Sequence, residues 1–167
     1  MSVNKGKEIK TKQHGQIQFV WGLICTLSSV DQHQNNLSLF NIIEQINIPV
    51  GAFAMYHKEN KPVLFPLQHQ VILFFRRAID PILGGEETPI DIKLSLVDSS
   101  GNQLFENLMS LKFPNNLKRM RHIISNPGFF ITKPGDYVYK IQTRENNQES
   151  FGSPNEIPLE VKEIKSQ

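Results

Sequence analysis

The stretch from Pro89 to Phe113, PIDIKLSLVDSSGNQLFENLMSLKF, predicts a pair of adjacent β-strands. Its first half places an apolar side chain at every second position: Ile90, Ile92, Leu94 and Leu96. A period of two is typical of a strand with one buried face. Turn-forming residues fill Asp98–Asn102, and the apolar period then resumes as far as Phe113. We therefore predict a β-hairpin across this stretch.

A second hairpin is predicted near the N-terminus. Apolar residues alternate along Ile17–Leu27, and Cys25 lies in step with them, which predicts a buried, unreactive thiol. Turn formers at Ser28–Asn36 lead into the apolar segment Leu37–Pro49, which is interpreted as the returning strand. Apolar residues within Leu39–Ile46 also fit helical spacing, so a short helix remains an alternative there.

The rest of the chain continues as short strands between turns. Val71–Phe75 is apolar on both faces, which predicts a central strand covered on both sides. Residues 50–67 are expected to form an irregular connection with one short strand. Further strands are predicted at Leu117–Thr132, with a break near Asn126–Gly128, at Tyr137–Thr143 and at Ile157–Ile164. About seven to nine strands predict an all-β fold, an antiparallel β-sandwich of immunoglobulin-like Greek-key type.

The segment Pro134–Tyr137 is interpreted as a corner between strands rather than as a polar site. In Greek-key sandwiches a tyrosine hydroxyl often bonds a nearby backbone group and so holds the crossover between sheets. Tyr137 stands two residues after Gly135, and Pro134 stiffens the turn ahead of it. We therefore expect an architectural role for Tyr137.

Length and composition indicate one globular domain at residues 16–164. The 167 residues are 39% hydrophobic and 20% charged, and the net charge of +2 demands no polyanionic partner. Residues 1–15 are expected to form a flexible basic tail, with Lys5, Lys7, Lys10 and Lys12. No segment reaches the roughly 18–20 apolar residues of a membrane span. The N-terminus lacks the pattern of an export signal, so a cytoplasmic location is expected.

No residue pattern of a catalytic, metal or cofactor site is present. The five histidines are scattered without ligand-like spacing, which is typical of surface or loop histidines, and the single cysteine excludes a thiolate cluster. Phosphate-binding glycine motifs and a serine nucleophile motif are missing. Glu86 and Glu87 fit a solvated loop, and Asp98 fits a turn residue that bonds its own backbone. We therefore expect no enzymatic activity, no metal and no cofactor.

The most informative feature for function is a group of basic residues. The candidate patch has six cations: Arg76, Arg77, Lys112, Lys118, Arg119 and Arg121. On a strand, Arg119 and Arg121 share one side. Lys118, Met120 and His122 share the other. Strand ends that meet would join these cations into a surface for phosphates or an acidic protein. Protection of an exposed sheet edge by charge is the alternative interpretation.

Aromatic side chains offer a third surface. A groove for a peptide or a sugar could be lined by Tyr56, Phe65, Phe129 and Phe130. Most of the eleven Phe residues of a β-sandwich must fill its core, however, which argues against such a groove. An open sheet edge that accepts a partner strand is a more general route by which sandwiches bind proteins.

Three segments in order resemble a family of uncharacterised bacterial proteins with an immunoglobulin-like sandwich. They are an N-terminal hydrophobic strand leading into VDQHQNNLSLFNIIEQINIP (Val30–Pro49), IDIKLSLVDSSGNQLFE (Ile90–Glu106), and PGDYVYKIQ (Pro134–Gln142) followed by IPLEV (Ile157–Val161). The resemblance implies the sandwich fold over residues 19–162 and brings no catalytic residues. The chain departs from that family in a longer basic N-terminus and an Asn/Gln-rich loop near Asn146.

Together these observations predict a non-enzymatic interaction or structural module. It is expected to bind a partner protein through a sheet edge or a loop end, on the strength of the missing chemistry and of analogy between folds. The alternative is binding of nucleic acid or another polyanion through the basic patch. No membrane association is expected.

Overall fold

The computed structural model describes residues 17–53, 58, 61–78, 87–145 and 148–164, so the predicted tail lies outside the described residues. The described residues form eleven strands: β1 (Ile17–Val30), β2 (Leu37–Ile42), β3 (Gln45–Pro49), β4 (Val63–Phe65), β5 (His69–Arg77), β6 (Thr88–Val97), β7 (Gln103–Phe113), β8 (Arg119–Asn126), β9 (Phe129–Ile131), β10 (Gly135–Glu145) and β11 (Asn155–Ile164). The number exceeds the prediction because two predicted strands, Leu37–Pro49 and Leu117–Thr132, are each divided in two.

The strands form two sheets that enclose one core. The first sheet has four strands in the order β2-β1-β5-β8, and the second has five in the order β3-β11-β10-β6-β7. A two-stranded ribbon joins β4 to β9. The predicted all-β sandwich is confirmed. One pair departs from the antiparallel expectation, because β3 runs parallel to β11.

The hairpin predicted from the opening stretch is formed by β6 and β7. Its alternating apolar residues are almost completely buried in the core: Ile90, Ile92, Leu94 and Leu96. They belong to the same core cluster as Leu73 and Phe75 of β5. β5 lies between β1 and β8, and Ile72 and Leu73 on its opposite faces are both 0% exposed. The prediction of a central strand covered on both faces is therefore confirmed.

A β-bulge divides β1 into halves that face opposite ways. Phe19 pairs with Phe75 of β5, but the next pair joins Trp21 to Phe74, which leaves Val20 as an inserted residue. Because side chains alternate along a strand, one inserted residue sends the apolar positions that follow to the other face of the sheet.

The bulge overturns the predicted orientation of Cys25. The sequence pattern places its thiol on the same buried face as Ile17 and Leu27. In the structure Ile17 and Ile24 lie in the core, so Cys25 points to the outer face of the first sheet, and Leu27 is 55% exposed. Cys25 itself is 0% exposed, and burial raises the pKa of its thiol, as fits an unreactive cysteine.

The segment Leu37–Pro49 is neither one strand nor a helix. β2 pairs with β1 in the first sheet, whereas β3 pairs with β11 in the second. The chain crosses between the sheets at Ile43, whose N–H donates to the carbonyl of Ile24 over 2.8 Å. Asn41, just before the crossing, has a φ of 49°, a conformation that asparagine tolerates. The apolar pattern runs on through the crossing, so it does not reveal the change of sheet.

Tyr137 holds the corner before β10, as predicted. Its Oη donates to the carbonyl of Lys133 over 2.7 Å and accepts the N–H groups of Thr132 and Lys133 at 2.9 and 3.1 Å. Gly135 has a φ of 144°, and a Cβ at this position would lie 2.9 Å from the side chain of Ser99. The glycine therefore permits the close approach of the two turns.

Candidate functional site

The hairpin of β1 and β2 forms an arm that bends over the outer face of the first sheet. Ser28 Oγ donates to Gln70 Oε1 over 2.7 Å, and the carbonyl of Asn35 in the β1–β2 turn accepts from Arg121 Nη2 over 2.8 Å. Ile72 lies between these contacts and is 0% exposed, although it points away from the core. The arm therefore covers the centre of this outer face.

One side of the arm carries exposed apolar residues. Leu27 and Phe40 are register partners, and Ile42 pairs with Cys25 on the same side of the hairpin. The exposed fractions of Leu27, Phe40 and Ile42 are 55%, 49% and 57%. These three residues are termed the arm patch. Clustered exposed apolar residues mark interaction sites more often than single ones do, but the sequence pattern assigned Leu27 to a buried face and so did not reveal the patch.

An aromatic pair lies beside the arm on the same outer face. Trp21 and Phe74 are register partners on β1 and β5, and both are half-buried. Their rings stack with centroids 5.1 Å apart and planes 5° apart. This stack forms an apolar floor next to the arginines of the neighbouring positions on β5 and β8.

Three arginines of the predicted patch meet on this face and are termed the arginine cluster: Arg76, Arg119 and Arg121. Arg76 of β5 lies directly opposite Arg119 of β8, and its Nε donates to Gln18 Oε1 over 3.1 Å. The side chain of Arg119 makes no hydrogen bond or ion pair with any residue that the structure describes. Like charges directly opposite each other on neighbouring strands destabilise a sheet. The Arg76–Arg119 pair therefore favours an anionic ligand.

The first sheet lacks acidic residues on all four of its described strands. The second sheet carries acidic residues on its strands, and three of them pair with cations: Asp91 with Arg144 at 2.6 Å, Glu156 with Lys140 at 3.9 Å and Glu160 with Lys162 at 2.9 Å. The two outer faces of the sandwich therefore differ in electrostatic character, and the arginine cluster lies on the face without carboxylates on its strands.

The other members of the predicted patch lie elsewhere, which corrects that prediction. Arg77 points inward from the end of β5, is 6% exposed and donates to Thr88 Oγ1 over 3.1 Å. Lys112 lies on β7 in the second sheet, where it forms an ion pair with Glu87 at 3.7 Å. Lys118 lies in the turn before β8, and its carbonyl accepts the N–H of Arg77. Of the six predicted cations, only the three of the arginine cluster share one face, with Lys118 at its border.

β8 is an edge strand of the first sheet, as the alternative interpretation of the basic segment predicted. Met120 and Ile124 on one side of β8 pack against the core, so Arg119 and Arg121 face outward together. Charge on an exposed edge opposes pairing with other strands. The same charge is available to an acidic partner, so protection and binding are compatible uses of these arginines.

His69 is buried, contrary to the expectation of surface or loop histidines. Its Nδ1 donates to the carbonyl of Leu67 over 3.0 Å, since a carbonyl oxygen can only accept. In this neutral tautomer Nε2 carries no proton, so it accepts from Tyr139 Oη over 3.0 Å. The ring also stacks on Phe129, with centroids 3.6 Å apart. Burial lowers the pKa of His69 and raises that of Tyr139. His69 is 1% and Tyr139 2% exposed, so the pair has a structural role.

Three of the four residues considered for an aromatic groove belong to the interior. Phe129 is 1% exposed, and Phe65 and Phe130 are packed against the core. Tyr56 lies outside the described residues. The preference for core positions over a groove is therefore confirmed for Phe65, Phe129 and Phe130.

The described part of the chain also bears on the expectations for a metal site, for Asp98 and for a membrane-spanning segment. No three side chains of His, Cys, Asp or Glu there are grouped so that they could hold a metal ion. Asp98 bonds its own turn, as predicted, with its Oδ1 accepting the N–H of Ser100 over 2.8 Å. Within the same described ranges, no helical segment has the length and apolar character that a membrane crossing requires.

No protein-family model and no curated protein matches this chain. Among solved structures, the chain is similar to the C-terminal domain of wzt, with a TM-score of 0.50 and 11% identity, over 89% of this chain and 75% of that chain. A family 123 glycoside hydrolase from Clostridium perfringens has a TM-score of 0.43 and 10% identity, over 90% of this chain and 28% of that chain. The likeness to the wzt domain supports the β-sandwich fold alone. The resemblance to an uncharacterised bacterial family stays a prediction.

Proposed function

We propose that this protein is a non-enzymatic binding module that engages a partner protein through the outer side of its first sheet. The observation that carries the proposal is the arm, which bears the arm patch and is held by Arg121 of the arginine cluster, on a sheet whose strands bear no acidic residue. Arginine and aromatic side chains are enriched in the energetically dominant part of protein interfaces. The module acts without catalysis and, as expected from the sequence, in the cytoplasm.

The partner presents acidic residues beside apolar ones. Leu27, Phe40 and Ile42 supply exposed apolar area, and its burial contributes about 25 cal/mol per Å². Arg76 and Arg119 attract carboxylates and repel basic surfaces, so they contribute mainly to specificity and to the association rate. Affinity is therefore carried by the arm patch, whereas the salt dependence of association is carried by the arginine cluster.

A second copy of this chain is a poorer partner than a different, acidic protein. Contact between two first sheets would bring like charges together. Three acids of the second sheet already pair with cations, as Asp91 does with Arg144 at 2.6 Å. Contact between a first and a second sheet would break such charge-assisted hydrogen bonds.

A pull-down with the intact protein tests this proposal. The lysate is treated with nuclease and washed at high salt, and the baits are wild type, Ile42→Ser and Leu108→Ser. Leu108 is 59% exposed on the second sheet, so it is a matched control for Ile42 at 57%. We expect wild type and Leu108→Ser to retain one protein that Ile42→Ser loses. Retention by all three baits, or no protein on wild type, rejects the arm patch as the binding surface.

Binding of nucleic acid or another polyanion is the second candidate, and the opposed Arg76–Arg119 pair favours it. Binding to duplex DNA weakens with a log–log slope of about −0.9 per neutralised phosphate, whereas a mostly apolar interface changes little with salt. Nucleic acid that is recovered at low salt and lost on Arg119→Ala with Arg121→Ala would support this candidate. The protein partner is preferred because a phosphate backbone would leave the arm patch in water.

A further inference from the structure

We propose, on the basis of the protein-binding function above, that a small pocket beside the arm binds the carboxylate of an acidic side chain of the partner. The pocket lies where the β1–β2 turn meets β5 and β8. Its volume is about 170 Å³, and it is lined by Asn35, Phe74, Arg119, Met120 and Arg121. It is termed the arginine pocket.

Arg121 is oriented before any ligand arrives. Asn35 has a φ of 55°, a left-handed conformation that asparagine tolerates, and its carbonyl and Oδ1 both contact Arg121 Nη2. A guanidinium carries five N–H donors in a rigid fork. Within the described residues these contacts use Nη2 alone, so Nε and Nη1 keep donors for a ligand. A fixed guanidinium loses less side-chain entropy on binding than a mobile one.

The charge around the pocket lacks a counter-ion on its own strands. The guanidinium of Arg119 has no partner among the described residues, and Arg76 faces it across the strand pair. The acid of the β1–β2 turn is Asp31, and its Oδ1 accepts the N–H groups of His33 and Gln34 at 2.8 and 3.2 Å. A bound anion would offset the repulsion between opposed arginines.

The walls of the pocket favour a carboxylate on a short aliphatic stem. A volume of 170 Å³ corresponds to about five or six waters of roughly 30 Å³ each. That space admits the end of a Glu or Asp side chain, and it also admits a single phosphate group, so volume does not separate the two. A planar carboxylate matches the guanidinium fork of Arg119 with two parallel hydrogen bonds, and Arg121 can add a single one from Nε or Nη1. Phe74 and Met120 supply apolar walls for the aliphatic stem.

Titration of the intact protein with a blocked glutamate tests the pocket. The probe is N-acetylglutamate α-amide, with the neutral N-acetylglutamine α-amide as its control, and the signals followed are the arginine Nε–Hε resonances. We expect saturable shifts of Arg119 and Arg121 with the glutamate derivative only. Arg119→Gln should weaken binding by at least about tenfold. Lys112→Gln, which removes an exposed charge from the second sheet, should leave binding unchanged.

Three results would overturn the proposal: no saturable shift, equal shifts with both amino-acid derivatives, or saturation by inorganic phosphate without saturation by the glutamate derivative. The last result would show that the pocket binds a phosphate group, as a polyanion-binding site would. The pull-down separates this proposal from the function on which it rests. If Ile42→Ser loses the partner and Arg119→Gln retains it at wild-type affinity, protein binding stands and the carboxylate pocket is rejected. If the glutamate derivative binds but no partner is captured, the pocket stands without the proposed function.

Discussion

The hydroxyl of Thr132 donates to Asp98 Oδ2 over 3.1 Å and so joins the corner before β10 to the turn between β6 and β7. Asp98 also accepts the N–H of Asn102 over 2.9 Å, and Thr132 N–H donates to Tyr137 Oη over 2.9 Å. Two turns that are distant in sequence therefore share one hydrogen-bonded network. Because most of its members are buried, the loss of a single member leaves polar groups without partners.

Tyr137→Phe is expected to destabilise the protein more than Tyr139→Phe does. Loss of Tyr137 Oη leaves backbone groups of Thr132 and Lys133 without this partner, at about 2–3 kcal/mol. Tyr139 Oη bonds His69 Nε2 alone, so its loss should cost about 1–1.5 kcal/mol. Urea unfolding of both variants measures the difference, and the opposite order would contradict the assigned role of Tyr137.

Asp98 is expected to make stability fall at acid pH. Burial opposes its ionisation, but hydrogen bonds from Asn102, Ser100 and Thr132 outweigh burial and lower its pKa below the ordinary 3.8. A carboxyl with a lowered folded pKa stabilises the protein above its unfolded pKa, and this contribution is lost as pH falls through the folded pKa. Asp98→Asn should lose about 1–2 kcal/mol at neutral pH.

The difference in the free energy of unfolding between wild type and Asp98→Asn should shrink below about pH 4. Unfolding by urea at neutral pH and at about pH 2.5 checks the expectation. A difference that stays constant across this range would show that ionisation of Asp98 does not contribute to stability.

His69 is expected to make stability fall as pH drops below neutral. Burial lowers its pKa from 6.5, so the unfolded chain takes up the proton before the folded protein does. The contribution of the neutral ring is complete above pH 6.5 and is lost as pH falls from there towards the folded pKa. His122, whose pKa burial also lowers, acts in the same direction.

His69→Gln and His122→Gln should therefore each reduce the pH dependence of stability between about pH 7 and 5. The free energy of unfolding, measured across this range for both variants and wild type, separates the two contributions. An unchanged slope in His69→Gln would exclude a proton-linked role for the His69–Tyr139 pair.

Deletion of Val20 is expected to be strongly destabilising. Without the inserted residue, the side chains on one side of the bulge must turn to the opposite face of the sheet. Either Phe19 leaves the core, or Trp21 and the residues after it exchange their inner and outer positions. Loss of the packing of Phe19, which is partly buried against the core, would cost up to about 3–5 kcal/mol. Val20→Thr keeps the inserted residue at a position that is 43% exposed, and should change stability by less than about 0.5 kcal/mol. Thermal unfolding compares them, and equal losses would contradict the importance of the bulge.

Local patterns were sufficient for part of this fold. The β6–β7 hairpin, the central strand β5 and the Tyr137 corner follow from side-chain period and turn chemistry within a few residues. The bulge at Val20 and the crossing at Ile43 left no such mark. Val20 is itself apolar, and the apolar period continues through Ile43, so neither interrupts the pattern. The arm patch escaped prediction for this reason.

The sequence by itself determined the all-β class and the arginines available for a binding surface. Tertiary structure alone decided that Arg76 opposes Arg119, that Arg77 is buried and that Lys112 lies on the other sheet. The physical reason is that register and sheet membership depend on pairing between strands far apart in the chain. That pairing is selected by the burial of the whole core, whereas local spacing sets only which side chains share a face.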